Sequence, residues 1–479
     1  MFDLKNVLFA FVIVGLLILI GRLIKQKIRW IQELYLPESV VAGFLALILG
    51  SEVVGAGISA IFGENAPLSQ GLFNESILNV WKQSPSVFIN VVFAALFLGE
   101  SIPKPQDIWR AVAPQVVFGQ TLAWGQYVVG ITLTLLILVP FFDMNPLAGS
   151  LIEIAFEGGH GTAAGMEQTF IDLNFPEGKD LALGLATVGI VSGIISGTYL
   201  ANWGRKKGHI QSLQKEVQIF NEYDGISPQE ITVNKEKEEN LRLKRIQLTE
   251  NLLIDPLSLN FGFVGLAIGI GWLILEGLKL IESLTWGVTG LKIMTYIPLF
   301  PMALIGGIIV QIILEKLNLP ELIIPSLMKN VSGLALDIVV ITALASISLQ
   351  VLGTNFIPFL LLSITGIVWN IFGFVYLAPR LIPTFWFERG ICDMGQSMGV
   401  TATGILLLRM VDPKNKSGAF ESFAYKQLFF EPIVGGGLFT ATAPVLIAQF
   451  GSISVLILTG ILTTFWLIIG FTLFAKKVI

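Results

Sequence analysis

The sequence predicts an all-α polytopic membrane protein: two inverted-topology repeats of five transmembrane helices, each with a re-entrant hairpin, plus an extra C-terminal helix. Composition is the first of three observations behind this. Of 479 residues 54% are hydrophobic and only 13% charged, with a mean hydropathy of +0.77, where a soluble chain carries about 25% charged residues. Second, apolar runs recur at the length of roughly 20 residues that a membrane-spanning helix needs. Third, two apolar stretches rich in Gly, Ser and Thr carry acids and fit no simple span. The same composition excludes other classes. A net charge of −4 with no basic domain leaves nothing for nucleic acid. One cysteine, Cys392, rules out a disulfide framework or a Cys-cluster metal site, and two histidines, His160 and His209, are too few for a zinc or haem centre.

The run 7–20 follows a single lysine, lacks a small-residue cleavage site and ends in Gly21-Arg22, so it reads as a span rather than a removed leader. Further spans are expected near 38–61, 84–99, 112–140 and 182–203, then 260–281, 294–314, 333–352, 356–378, 429–449 and 453–474. Four segments follow: a membrane repeat over 1–203, a polar cytoplasmic linker over 204–253, a second repeat over 254–449, and an added helix with a short tail over 450–479. The linker mixes signs (Lys235, Glu236, Lys237, Glu238, Glu239) and reads as a solvated connector, although Leu213, Val217 and Phe220 recur at helical spacing. With the N-terminus outside, Arg22, Lys25, the Arg205-Lys206-Lys207 cluster, Arg380, Lys426 and Lys476-Lys477 all fall in the cytoplasm. Only Lys5, Lys82, Lys179, Lys279 and Lys292, five of 30 basic residues, then fall outside. The C-terminus is therefore expected in the cytoplasm.

Counting 148–170 or 389–408 as a full span breaks this charge bias downstream, so both read as re-entrant hairpins, the first entering from outside and the second from the cytoplasm. Irregular backbone at membrane depth needs protein or water around it. Each half then has five spans with a hairpin before the fifth. Tyr35-Leu36-Pro37 opens the second span and Tyr296-Ile297-Pro298 the seventh, while Gly161–Gly165 resembles Gly399–Gly404. An odd number of spans per half inverts the copies. Inverted repeats with broken helices at mid-membrane point to a secondary transporter.

The chemistry follows from the breaks. A helix interrupted at glycines presents free N–H groups, suited to a carboxylate, and free carbonyls, suited to Na⁺. Gly158, Gly159 and Gly161 let the backbone approach a ligand, and His160 and Thr162 add polar side chains; the competing reading is a small-residue packing motif. Acids at membrane depth are functional candidates. Glu153 and Glu157 share a helix face, and Glu157, directly before the glycines, is a candidate to hold a cation, a proton or a substrate ammonium. Asp393 is a second candidate, unless it pairs with Arg389 at the hairpin mouth. Gly395 and Gly399 belong to the same hairpin. Ser397, Thr401 and Thr403 offer hydroxyl oxygens to Na⁺, unless they bond back to their own helix.

These residues carry a resemblance. Tyr35–Gly43, the string Gly158-Gly159-His160-Gly161-Thr162, the stretch Gly395–Thr403 and Pro432-Ile433-Val434-Gly435 resemble the bacterial sodium:glutamate symporter family (the ESS class), over roughly 1–203 and 254–449. The resemblance implies Na⁺-coupled uptake of L-glutamate across the bacterial inner membrane by alternating access. It also implies a homodimer with a mobile core, no cofactor beyond Na⁺ as coupling ion, and a site lined by Gly158–Thr162 and Gly399–Thr403. The sequence departs from the pattern at Glu157, where a small hydroxyl residue is usual, at Asp393, where His is common, and at Gln396, Ser397 and Ala402. Added acids would repel a second carboxylate unless neutralised. A symporter of another amino acid or carboxylate, coupled to Na⁺ or H⁺, is therefore the alternative on the same fold. No nucleophile–base pair or metal-binding set supports an enzyme, and a channel fits inverted repeats less well than alternating access does.

Overall fold

The structure is a computed structural model and describes residues 3–33, 36–100, 105–213 and 255–474. It is helical throughout these residues, with no strand. Tyr35, the linker beyond 213 and Lys476-Lys477 lie outside the described residues. The helices are α1 (Leu4–Lys27), α2 (Glu38–Phe62), α3 (Glu75–Ala95), α4 (Val112–Phe142), the short α5 (Leu151–Phe156), α6 (Gly159–Gly165) and α7 (Glu167–Asp172), then α8 (Gly178–Lys207). After the linker come α9 (Pro256–Leu284), α10 (Phe300–Lys316), α11 (Pro325–Ala345), α12 (Phe356–Leu381), α13 (Trp386–Val411), α14 (Ala419–Phe430), α15 (Leu438–Phe450) and α16 (Ser452–Phe474). Among the described residues nine helices are long and apolar enough to cross a membrane, and α13 is one of them.

Boundaries follow local chemistry. The Asn74 side chain accepts from the Ile77 N–H at 2.9 Å and starts α3 nine residues before the expected 84. Ile77, Val80 and Trp81 are buried there, and the Trp81 indole donates to the Ala10 carbonyl of α1 at 3.1 Å. Asp255 caps α9 ahead of Pro256, and Pro301 and Pro325 sit in the first turns of α10 and α11, where a missing N–H costs nothing. The expected tenth span, 429–449, is not one helix. It breaks over 431–437, where Pro432 and three glycines, two at positive φ (Gly435 +71°, Gly436 +101°), separate α14 from α15.

The two stretches singled out as hairpins are broken helices whose ends are held together. Before α5 the Asn145 amide donates to the Asn174 carbonyl, after α7, at 3.1 Å, so 146–173 leaves and returns at one end of the bundle. In α13 the break is at Gly399 and Val400, and its arms lie side by side. A Cβ on Gly404 would sit 2.4 Å from the Cys392 carbonyl oxygen, and one on Gly395 2.8 Å from the Gly404 Cα; nine residues of continuous helix would be about 13 Å apart. Ser212 holds both ends of α13, its N–H donating to Glu388 at 2.7 Å and its hydroxyl to the Val411 carbonyl at 3.3 Å.

Helix α8 relates the two. It begins next to the ends of the first broken segment, where Gly178 packs on Phe175 and Phe170, and runs 30 residues, about 45 Å, to the Ser212 turn that holds the second. At its middle both breaks arrive. Gly189 has no room for a Cβ, with the Met398 carbonyl at 2.3 Å and the Phe156 ring at 3.0 Å, and Ile190 lies against Gly399. One device precedes each broken segment: a five-residue π-turn followed by four α-helical residues with proline second, Thr134–Leu138 then Val139–Phe142 in α4, and Gly373–Leu377 then Ala378–Leu381 in α12. The principal apolar core joins α4, α8, α12, α13 and α15. A separate cluster joins α1 to α2, α3 and α11.

The arm contact in α13 predicts that Gly395→Val destabilises the protein by about 1–3 kcal/mol, the usual cost of overpacking. Gly265→Val, on a face of α9 with nothing within 4 Å, should be near neutral. Thermal unfolding of the two variants in detergent tests the difference.

Candidate functional site

The breaks at Glu157–Gly159 and Gly399–Val400 touch. Gly159 has φ +68°, and a Cβ there would lie 2.3 Å from Val400 Cγ1. Val400 itself stands at φ +61°, ψ 171°, a region otherwise left to glycine, at a cost of order 1–3 kcal/mol. The third break joins them: a Cβ on Gly436 would sit 2.7 Å from Thr162 Oγ1. Two interrupted backbones thus meet at the middle of α8, and the third reaches the first at Thr162.

Four acids surround the meeting point, and three of them have hydrogen-bond partners. Glu153, fully buried on α5, accepts from the Tyr127 hydroxyl, the Gly435 N–H at 2.8 Å and the Thr440 hydroxyl at 2.8 Å, so it anchors the third break to the first segment. Asp393, also fully buried, accepts from Lys426 Nζ at 2.9 Å. The same ammonium donates to Gln396 Oε1 at 2.7 Å and lies over the Phe430 ring at 4.0 Å. Gly119 makes the room, since a Cβ there would come within 3.0 Å of Nζ. Glu431 accepts from the Thr401 hydroxyl at 3.2 Å. Glu157 is 3% exposed, and neither of its carboxylate oxygens has a hydrogen-bond donor. Lys426, Glu153 and Asp393 act on it through their charges, and the Ser397 hydroxyl is the neighbouring donor turned toward it.

The carbonyls freed by the break in α13 are largely taken. The Ser397 carbonyl accepts from Gln126 of α4 at 2.7 Å and from Asn370 of α12 at 3.0 Å, and the Gly399 carbonyl from Thr403 Oγ1 at 2.5 Å. Thr403 therefore bonds back within its own segment, while Thr401 reaches across to Glu431. His160 Nε2 meets Thr187 Oγ1 of α8 at 2.9 Å, and Thr187 donates to Leu183 O, which leaves the imidazole as donor. Thr162 Oγ1 is buried without a partner. Gly161 packs on Ile89 of α3, and Gly395 on the opposite arm of α13. Gly158 marks the first break, its Cβ position 2.6 Å from the Ile154 carbonyl oxygen.

The site residues singled out in the sequence lie on the two broken segments. The structure also revises one assignment. Lys426, counted above among cytoplasmic charges, is 1% exposed and committed to Asp393; a basic residue between apolar runs looks like a loop charge when its acid partner is 33 positions away. Asp393 has Lys426 as a hydrogen-bonded partner, and the charge of Arg389 also acts on it. Sequence reasoning also passed over Tyr127, Gln126, Asn370, Thr440 and Glu431. The signal available was an unusual number of polar residues inside apolar runs.

Interrupted helices that bring buried acids together inside a multi-pass bundle define a membrane transporter. The chain belongs to the sodium/glutamate symporter family, whose model matches residues 4–411; the family is one of transporters, not enzymes. It is similar to a sodium/glutamate symporter of Haemophilus influenzae, 26% identical over 194 residues, which is 40% of this chain and 42% of that protein. The match thus spans less than half of the curated relative. No solved structure matches the chain.

Removing one partner of a buried ion pair leaves the other uncompensated, at about 3–5 kcal/mol. Lys426→Met should therefore lower thermal stability sharply, and adding Asp393→Asn should restore most of it. A double-mutant cycle by thermal unfolding measures this. Additive losses would mean the pair is not coupled.

Proposed function

We propose that this protein is a secondary active transporter that moves L-glutamate into the cell with Na⁺, by alternating access, in a bacterial inner membrane. The observation that carries the reading is the meeting of two broken segments, held at opposite ends of α8, with unpaired carboxylate oxygens at their junction. A site at that depth is reached from either face by a modest shift of the segments against α3 and α11, which is what alternating access asks of a fold. The two segments are re-entrant hairpins in this reading. The halves 1–203 and 254–449 are inverted repeats, with the paired π-turn and proline device of α4 and α12 as their shared mark. The N-terminus lies outside and the C-terminus inside, and the family resemblance supports a homodimer.

Na⁺ is assigned to Thr401 and Glu431, a hydroxyl and a carboxylate already 3.2 Å apart beside the break. Thr403 serves instead to close the Gly399 carbonyl. One net positive charge moving down 100 mV supplies about 2.3 kcal/mol, enough to hold a substrate gradient of roughly fortyfold. The acid-rich junction favours one alternative specifically, a different amino acid or carboxylate carried with Na⁺ or H⁺. Its Lys426 ammonium is consumed by Asp393 and Gln396 rather than offered to a second substrate carboxylate.

In proteoliposomes with an inward Na⁺ gradient, labelled L-glutamate should accumulate, and K⁺ replacing Na⁺ should abolish accumulation. Uptake that ignores Na⁺ but follows a pH gradient selects proton coupling, and uptake of another amino acid in place of glutamate selects the other substrate. Thr401→Ala and Glu431→Gln should each raise the Na⁺ concentration for half-maximal uptake by about tenfold, a loss near 1.4 kcal/mol of cation binding. An unchanged Na⁺ dependence would remove Na⁺ from that pair.

A further inference from the structure

Glu157 is the acid that the packed structure leaves unanswered. The carboxylates of Glu153, Asp393 and Glu431 each accept from at least one donor. Glu157, 3% exposed, has no donor at hydrogen-bond length on either oxygen, the Ser397 hydroxyl being the one donor turned toward it. Five residues on, Thr162 is 1% exposed and its hydroxyl is likewise unpartnered. The space about that hydroxyl is walled by glycine: Cβ atoms on Gly158 and Gly436 would stand 2.8 and 2.7 Å from it. A buried carboxylate with no donor costs several kcal/mol in its charged form, so the gap is built for something that arrives.

The neighbouring groups narrow what that is. The cation of the chain itself is committed, since the Lys426 N–H groups go to Asp393, Gln396 and the Phe430 ring face. A bare metal ion needs a shell of oxygens, and two carbonyls of the facing break are already engaged: Ser397 O by Gln126 and Asn370, Gly399 O by Thr403. A primary ammonium asks only for about three acceptors. The carboxylate of Glu157 and the hydroxyl of Thr162 provide acceptors for it, with Ser397 alongside.

We propose that Glu157, with Thr162, is the receptor for the α-ammonium group of the transported amino acid. The inference rests on the reading of this junction as a substrate site. The carboxylate at position 157 makes the transporter select amino acids against carboxylic acids of the same carbon skeleton.

The test compares L-glutamate with glutarate, the same five-carbon diacid without its amino group, by equilibrium competition on the purified full-length protein in saturating Na⁺. In the unmodified protein glutamate should bind at least thirtyfold tighter than glutarate. Glu157→Gln should lose at least thirtyfold for glutamate and less than threefold for glutarate, with the half-saturating Na⁺ concentration changed less than threefold. Thr162→Val should lose about three- to tenfold for glutamate, and Thr162→Ser should restore it; this pair reads the proposal should Glu157→Gln fail to fold. Equal affinity for the two ligands in the unmodified protein overturns the proposal. So does a Glu157→Gln variant that keeps the discrimination, or one that changes the Na⁺ dependence alone. If the unmodified protein binds neither ligand, the glutamate assignment fails while the ammonium receptor is read on L-alanine against propionate, where the same ratios apply.

Discussion

A helix interrupted inside a membrane exposes N–H and C=O groups that lipid cannot satisfy, and the arrangement of this protein follows from answering them. Of three interruptions, at 157–159, 399–400 and 431–437, the second and third are completed by side chains. Gln126 and Asn370 close the Ser397 carbonyl, Glu153 closes the Gly435 N–H, and Thr440 closes the Gly436 N–H. None of these breaks is stable alone at that depth. They must lie together, and the glycines of α8 and of the breaks themselves give the close approach that permits it, as at Gly189 and Gly159.

The charges obey the same constraint. Burying an ion without a partner is expensive, so Asp393 is matched with Lys426, and Glu153 is ringed by neutral donors from Tyr127, Gly435 and Thr440. Those contacts are internal and tie α5, α13, α14 and the 431–437 loop into one unit. Among the groups that remain open, the Glu157 carboxylate and the Thr162 hydroxyl stand where the breaks meet. The division is between polar groups that hold the structure and polar groups that wait for a ligand.

Much of this was legible in the sequence, for physical reasons. Spans such as 112–140 and 356–378 declare themselves by length and hydropathy, and Gly158-Gly159-His160-Gly161-Thr162 declares a break because glycines and a histidine have no reason to interrupt a lipid-facing helix. The roles of particular residues were less legible. Lys426 reads as a loop charge until the fold brings Asp393 within 2.9 Å. The span at 429–449 reads as continuous because Ile433 and Val434 keep the hydropathy high across a loop that Pro432 and three glycines open. Thr401 and Thr403 are equivalent in sequence, yet one bonds to Glu431 and the other to its own segment. Pairings over 30 or 280 positions are a property of the packed chain.

The central claim is that the substrate binds where the broken segments meet. Ala402, exposed three residues past Gly399, gives a direct reporter, because the sole native cysteine, Cys392, is buried and replaceable by alanine. In the Cys392→Ala background, the rate at which a membrane-impermeant thiol reagent labels Ala402→Cys is to be measured with and without L-glutamate and Na⁺ in a transport-competent preparation. The account predicts that the two together slow labelling at least fivefold while either alone does much less. Labelling that is indifferent to substrate in a variant that still transports would contradict it.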